Sequence, residues 1–311
     1  MRLNMTWRKT LQLLALAVAI VAVSSNRSIL AQDAAASKPP GDESAERVAN
    51  RVKTPGILEI EMRSRDPESG KDRQETVQWQ AAETAIIICD MWDGHYCQLA
   101  AQRVGVMAPR MNQVLSAARS HGVMIIHAPS GCMDQYADTP YRARMQQAAA
   151  AEPPVPIGGW CYLDPETEAP LPIDDSVSPC DDPVVGPAVR QFTRQHAALD
   201  IIGFDGISDS GTEIYNFCRQ EGIKNIVLMG VHTNMCVLGR PFGIRQQVRL
   251  GMNVALCRDL TDAMYDPRQP PYVSHTRGTE LVVEHIEKYW CPSFESEDLT
   301  RVVAGSAGPV E

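Results

Sequence analysis

Two residues in this chain are of types that could do covalent chemistry together. Cys236 lies in the stretch NIVLMGVHTNMCVLGR, residues 225–240, just past an apolar run that stops at Gly230. Asp90 closes a second apolar run, TAIIICD, which begins at Thr84. A thiolate attacks carbonyl carbon, and a carboxylate beside it can take the thiol proton. Thr233 and Asn234 are good helix N-caps, which predicts Cys236 in the first turn of a helix. Unpaired N–H groups there lower a thiol's pKa and can hold an oxyanion. The bland alternative is that Cys236 is a small buried hydrophobe, as most free cysteines are.

The elements that must position these residues are legible as apolar periodicity. Residues 226–229 are a short continuous apolar run with β-branched members, the pattern of a strand buried on both faces, and residues 84–90 are a second such pattern that ends on a carboxylate. A helix over 103–120 and a strand over 123–127 follow the second run, which predicts a right-handed βαβ unit. The chain then predicts a short strand over 187–193, a helix over 211–221, a strand over 225–229 and a helix from Cys236 to about Leu250. A strand over 253–257 and an amphipathic helix over 272–289 close the series. The expected fold class is α/β, a doubly wound, mostly parallel sheet with helices on both faces. Ligands in such sheets bind beyond the carboxyl ends of the strands, where Asp90 and Cys236 both fall. Ahead of this, residues 57–65 and 73–80 alternate apolar and polar around DPESG, a β-hairpin signal. Residues 130–187 lose regularity and gather prolines, and read as an insertion over the active edge. The domain is expected to span 54–292, with a polar tail over 293–311.

Arg2, Arg8 and Lys9 precede an apolar run from Leu11 to Val23, and small residues continue to Ala31. This order reads as a secretory signal peptide over 1–31, followed by a disordered linker over 32–53. The run is shorter than the ~20 apolar residues of a spanning helix, so no stable membrane partner is expected. An exported chain, periplasmic or secreted, can form disulfides, and nine cysteines would leave at least one thiol over. Cys132, Cys161 and Cys180 fall in the loop-rich segment where a bridge would help, whereas Cys89 and Cys257 sit in apolar runs and read as core. The net charge of -9 argues against a nucleic-acid surface.

Asp90 closing TAIIICDMWDGHYC, the stretch GVHTNMCVLGR, and Arg258-Asp259-Leu260-Thr261-Asp262-Ala263 resemble, in that order and spacing, the isochorismatase-like cysteine hydrolases. These include nicotinamidases and N-carbamoylsarcosine amidohydrolase, and the likeness covers about 84–289 apart from the insertion. It implies a hydrolase that cleaves an amide-type C–N bond of a small-molecule substrate without a cofactor. By resemblance, Asp90 takes the Cys236 proton and passes it to the leaving amine, while the thiolate forms an acyl-enzyme that water hydrolyses. The oxyanion hole would be the backbone N–H groups of His232 and Cys236, beside a cis Val231–His232 peptide. A homo-oligomer is expected on the same ground.

The chain departs from the family at its lysine. Spacing puts that position at Arg194 in RQFTRQH, and no lysine lies between Lys71 and Lys224. Arg194 would supply positive charge without readily exchanging a proton; Gln195 and His196 are the alternative occupants of the place. The departure keeps open a second reading, a non-catalytic member that retains a small-molecule pocket. The Asp-x-His metal set of nicotinamidases has no counterpart after Asp90, and His95 and His127 are single histidines, so no metal is assigned. Trp92, His95 and Tyr96 would line the pocket or merely pack their loop, and His127, Gln195 and His196 complete the candidate set. His275 and His285 read as surface or subunit-contact residues, Asp259 and Asp262 as caps of a turn.

Overall fold

A computed structural model describes residues 53–307. The expected signal peptide over 1–31 lies outside them, as does the expected linker up to residue 52.

The chain opens with β1 (Ile57–Arg65) and β2 (Asp72–Gln80), paired antiparallel in unbroken register from Ile57↔Gln80 to Arg65↔Asp72. This is the expected hairpin, and Asp66 closes its turn by accepting the Ser69 N–H at 2.7 Å. Then come β3 (Thr84–Cys89), α1 (Gln98–Ser120) and β4 (Met124–Ala128). The insertion carries α2 (Pro140–Gln146), and β5 is the short Gly206–Ile207. The rest runs α3 (Gly211–Glu221), β6 (Asn225–Val231), α4 (Cys236–Gly239), α5 (Ile244–Arg249), β7 (Asn253–Asp262), α6 (His275–Tyr289) and β8 (Ser293–Phe294). All eight strands form one sheet in the order β2-β1-β8-β7-β6-β3-β4-β5, parallel from β8 to β5.

Period-two alternation in the central strands feeds two cores. Ala85, Ile87 and Cys89 of β3 face the side covered by α3, α5 and α6. Ile86 and Ile88 face the side where Val104, Ala108, Met111 and Leu115 of α1 pack. A strand buried on both faces has no polar side to spare, which is why its sequence is a continuous apolar run. Strand order reverses between β3 and β6, because the chain leaves β3 for β4 and β5 before returning to its other edge. That switch point sets the carboxyl ends of β3 and β6, and hence Asp90 and Cys236, side by side.

Several expectations are corrected. Residues 187–193 form no strand; they are largely exposed and irregular, and the outer strand beyond β4 is Gly206–Ile207. The single helix expected from Cys236 to Leu250 is two, because Pro241 holds Arg240 extended (φ -61°, ψ 157°) and ends α4 at Gly239. Residues 293–311 are not a polar tail throughout, since β8 joins the sheet and Phe294 is fully buried. Asp259 and Asp262 lie within β7, which runs five residues past its expected end. His285 is buried against Glu168 at 2.9 Å and is not a surface residue, whereas His275 is half-buried and binds Asp262 at 2.9 Å. All nine cysteines are free and buried, so the expected bridges are absent.

Gly230 shows how tightly the switch point is built. It pairs with Cys89 across β3 and β6, and its φ of 104° lies in the left-handed region. A Cβ there would stand 2.1 Å from the Cys89 carbonyl oxygen. Gly230→Ala is therefore expected to cost about 3 kcal/mol or more, read as a lowered denaturant midpoint, because both the backbone conformation and the strand spacing resist it. An unchanged midpoint would mean that the two strand ends are looser than described.

Candidate active site

Asp90 is the first residue past β3 and is fully buried. Its φ of 47° is a conformation few residues other than glycine adopt, though Asp is among those that tolerate it. The turn is held by backbone bonds: the Asp90 N–H donates to Ala128 O at 3.1 Å, and the Trp92 N–H donates to Asp90 O at 2.8 Å. The carboxylate accepts the Ser130 N–H at 2.8 Å on Oδ1 and the Arg240 Nε–H at 3.2 Å on Oδ2. The Cys236 thiol lies beside it, near enough for the two groups to act on each other's ionisation.

Cys236 begins α4 and is 8% exposed. The capping arrangement expected around it is not found. Thr233 bonds Thr261 at 2.7 Å, and Asn234 is occupied by Asp175 and by the backbone of Met264, while Met235 precedes α4 without a side-chain cap. The expected lowering of the thiol pKa is also reversed. Burial pushes the thiol well above its usual range, the Asp90 carboxylate pushes it further, and Arg240 opposes both. Burial likewise raises Asp90, against Arg240 and the hydrogen bonds it accepts. Releasing a proton to solvent is thus unfavourable for either group, but passing one from thiol to carboxylate keeps a single negative charge beside Arg240 throughout.

The cation of the site is Arg240, not Arg194. Arg194 is exposed, and its backbone pairs with Asp93 at 3.0 Å through its carbonyl and 3.2 Å through its N–H. Arg240 stands four residues after Cys236, and that spacing returns a helical side chain to the same face. This i,i+4 relation was visible in MCVLGR and is the signal that sequence matching passed over. Its guanidinium lies 5.5 Å over the Trp160 ring, and Asp90 holds it more firmly protonated than a free arginine.

The Val231–His232 peptide is cis. Thr233 N–H donates to Asp262 O, and the Met235 and Val237 N–H groups donate to His232 O. The His232 and Cys236 N–H groups have no acceptor among the described residues. The His232 ring is buried, its Nε2 also lacks a partner, and burial holds it neutral with a pKa of about 3.

The other candidates separate into groups. Trp92 and His95 line a narrow cavity with Asp90 and His232, and His95 meets His232 edge-on at 5.1 Å. Trp92 stacks on Phe192 at 4.2 Å beside a cleft of about 560 Å³ lined by Gly131, Cys132, Arg190, Phe192 and Thr193. Tyr96 packs on the His95 ring at 4.6 Å and against Cys97 and Cys180. His127 and Gln195 bond each other at 2.8 Å in a fully buried network that continues to Asp205 at 3.1 Å, so they support the sheet end. His196 Nδ1 accepts the Ala198 N–H at 3.2 Å and stays within its own turn. The insertion walls the site: Cys161 N–H donates to Gly239 O at 2.7 Å, and a Cβ on Gly239 would strike Trp160 at 2.6 Å.

No protein-family model matches the chain. Among curated proteins it is similar to the ureidoacrylate amidohydrolases of Stutzerimonas stutzeri, 25% identical over 185 residues, and of Klebsiella pneumoniae, 24% identical over 185 residues. These alignments take in 53% of this chain, and the chain spans 65% and 68% of the two relatives' lengths. Among solved structures it is similar to a cysteine hydrolase from Pseudomonas syringae pv. phaseolicola, with 18% identity and a TM-score of 0.45 over 71% of this chain and 92% of that one. N-carbamoylsarcosine amidase from Thermoplasma acidophilum aligns at 12% identity and a TM-score of 0.36, over 69% of this chain and 97% of that one. The chain is also similar to an isochorismatase family protein from Burkholderia thailandensis, at 16% identity and a TM-score of 0.40 over 70% of this chain and 93% of that one.

Iodoacetamide labelling of Cys236 tests the charge assignment. The unmodified protein should label slowly at neutral pH and faster as pH rises, because the thiol pKa is raised. Arg240 holds the thiol pKa down, so Arg240→Gln should raise it further and slow labelling by about tenfold or more. Arg194→Gln should leave the rate unchanged. Equal effects of the two substitutions would show that Arg240 is not the cation that the thiol feels.

Proposed function

We propose that the chain is a cysteine hydrolase that cleaves an amide or ureido C–N bond of a small molecule through Cys236. The observation that carries this reading is the buried carboxylate of Asp90, paired with Arg240 at 3.2 Å and standing beside the Cys236 thiol. The substrate class is brought by the curated relatives, which are named for hydrolysis of a ureido compound.

The chemistry follows from the charge count. Asp90 takes the Cys236 proton as sulfur adds to the carbonyl carbon, so the negative charge moves from carboxylate to sulfur and on to the carbonyl oxygen. That oxygen is received by the His232 and Cys236 N–H groups, which have no other acceptor among the described residues. The protonated Asp90, its pKa already raised, then gives its proton to the leaving nitrogen as the C–N bond breaks. Asp90 then takes a proton from water as the water oxygen adds to the acyl carbon, and returns it to sulfur as the C–S bond breaks and the acyl product leaves. Arg240 exchanges no proton in this scheme; it keeps the buried negative charge balanced at each stage, which an always-charged guanidinium does well. Export belongs to the same reading and is supported by the order of basic, apolar and small residues over 1–31.

With N-carbamoyl amino acids and ureido acids as substrates, Cys236→Ala should abolish turnover, and Asp90→Asn should reduce it by about 10²-fold or more. Intact-mass measurement during turnover should show an acyl adduct on Cys236 that the Ala variant lacks. Turnover that survives Cys236→Ala would end this mechanism, and ligand binding without any turnover would favour the non-catalytic reading. For export, the protein recovered from outside the cytoplasm should begin near residue 32. A cytoplasmic protein that keeps residues 1–31 would overturn that part.

A further inference from the structure

A second cluster of reactive groups lies at the start of α1, apart from Cys236. Cys97 and Cys180 are fully buried and Asp182 is 5% exposed. The two sulfurs and a carboxylate oxygen of Asp182 all lie within 4.8 Å of one another, brought together from the two ends of an 86-residue span. We propose that Cys97, Cys180 and Asp182 bind a zinc-class divalent cation, with water in the fourth position.

The geometry suits such an ion. Cys97 Sγ stands 3.5 Å from Asp182 Oδ1. A tetrahedron with a Zn–S arm of ~2.3 Å and a Zn–O arm of ~2.0 Å has an S···O edge of about 3.5 Å. Two sulfur donors and a carboxylate select a borderline-soft ion over calcium or magnesium, which take oxygen ligands. The carboxylate is already oriented, because Oδ2 accepts the Gln98 N–H at 2.8 Å and Oδ1 the Leu99 N–H at 2.9 Å. Each oxygen keeps a lone pair for a metal. Arg268 supports the far side, donating to the carbonyls of Cys180 at 3.3 Å and Asp182 at 2.9 Å. Binding replaces two S–H protons by two metal–sulfur bonds and releases both protons to solvent. Two thiolates and a carboxylate carry three negative charges, of which the ion cancels two; the neighbouring carboxylates of Asp181 and Asp266 are balanced by Arg103 and Arg268, each at 2.8 Å.

Such an ion would staple the insertion, through Cys180 and Asp182, to the loop before α1. Two residues before Cys97, that loop carries His95, which packs on His232. The site is separate from the hydrolytic reading and stands without it.

The test is a Co²⁺ titration of the full chain, reduced and freed of metal. One equivalent should bring up a thiolate-to-cobalt charge-transfer band that Zn²⁺ then removes, with two protons released per ion and both Cys97 and Cys180 shielded from alkylation. The Cys97→Ser/Cys180→Ser double substitution should lose the band, and Asp182→Asn should weaken binding by at least about tenfold. Cys132→Ser and Cys236→Ser should retain it. Absence of the band in the unmodified protein would overturn the assignment without reference to any variant's folding. So would its survival in the double variant, or a Cys97–Cys180 disulfide that forms despite bound Zn²⁺.

Discussion

The ion pair between Asp90 and Arg240 is the constraint around which this molecule is arranged. A carboxylate with no solvent exposure is costly unless a partner balances it, and here the partner is a guanidinium that is itself largely covered. Asp90 is fixed by the backbone at the end of β3, in a conformation that leaves little freedom. Arg240 is fixed by the break that Pro241 imposes at the end of α4. Beside the pair lies the Cys236 thiol. Three groups with one net proton to share are confined to a space where exchange with solvent is disfavoured and exchange among themselves is not.

That confinement needs the insertion, which acts as a wall and not as a loose loop. Trp160 packs on Gly239 and beneath the Arg240 guanidinium, and Asn234, two residues before Cys236, bonds Asp175 at 2.8 Å. Farther out, Glu168 is buried with Arg245 at 2.6 Å, His285 at 2.9 Å and Trp290 at 2.8 Å, which anchors the insertion to α5, α6 and the residue after α6. Those partners hold the Glu168 carboxyl down to a pKa of about 2 against the effect of burial. A segment without regular structure is thus positioned by buried polar contacts, each too specific to arise from apolar packing alone.

Much of the frame was legible because it rests on short-range rules. The continuous apolar runs before Asp90 and through residues 226–229 announced strands buried on both faces, and the chain of elements between them announced the switch point. The hairpin appears one residue from its expected start on β2, since alternation and the DPESG turn fix its register locally. Where polar side chains choose partners across the chain, reading failed. Arg194 was favoured for the cation by spacing from a family pattern, while Arg240 was passed over although it stands one helical turn from Cys236. His275 and His285 were given to the surface, yet each faces a carboxylate: Asp262 from β7 and Glu168 from the insertion.

The sequence by itself determined the alternation of strands and helices, and with it that an acid and a thiol would stand at neighbouring strand ends. Hydrophobic periodicity carries this information residue by residue, and the topology of parallel sheets does the rest. Only the tertiary structure decided which cation faces the acid, which way burial moves the thiol, and that Cys97 meets Cys180 and Asp182. Those outcomes depend on distances between residues tens of positions apart and on how completely water is excluded around them. No local pattern encodes either quantity, because both are properties of the packed chain as a whole.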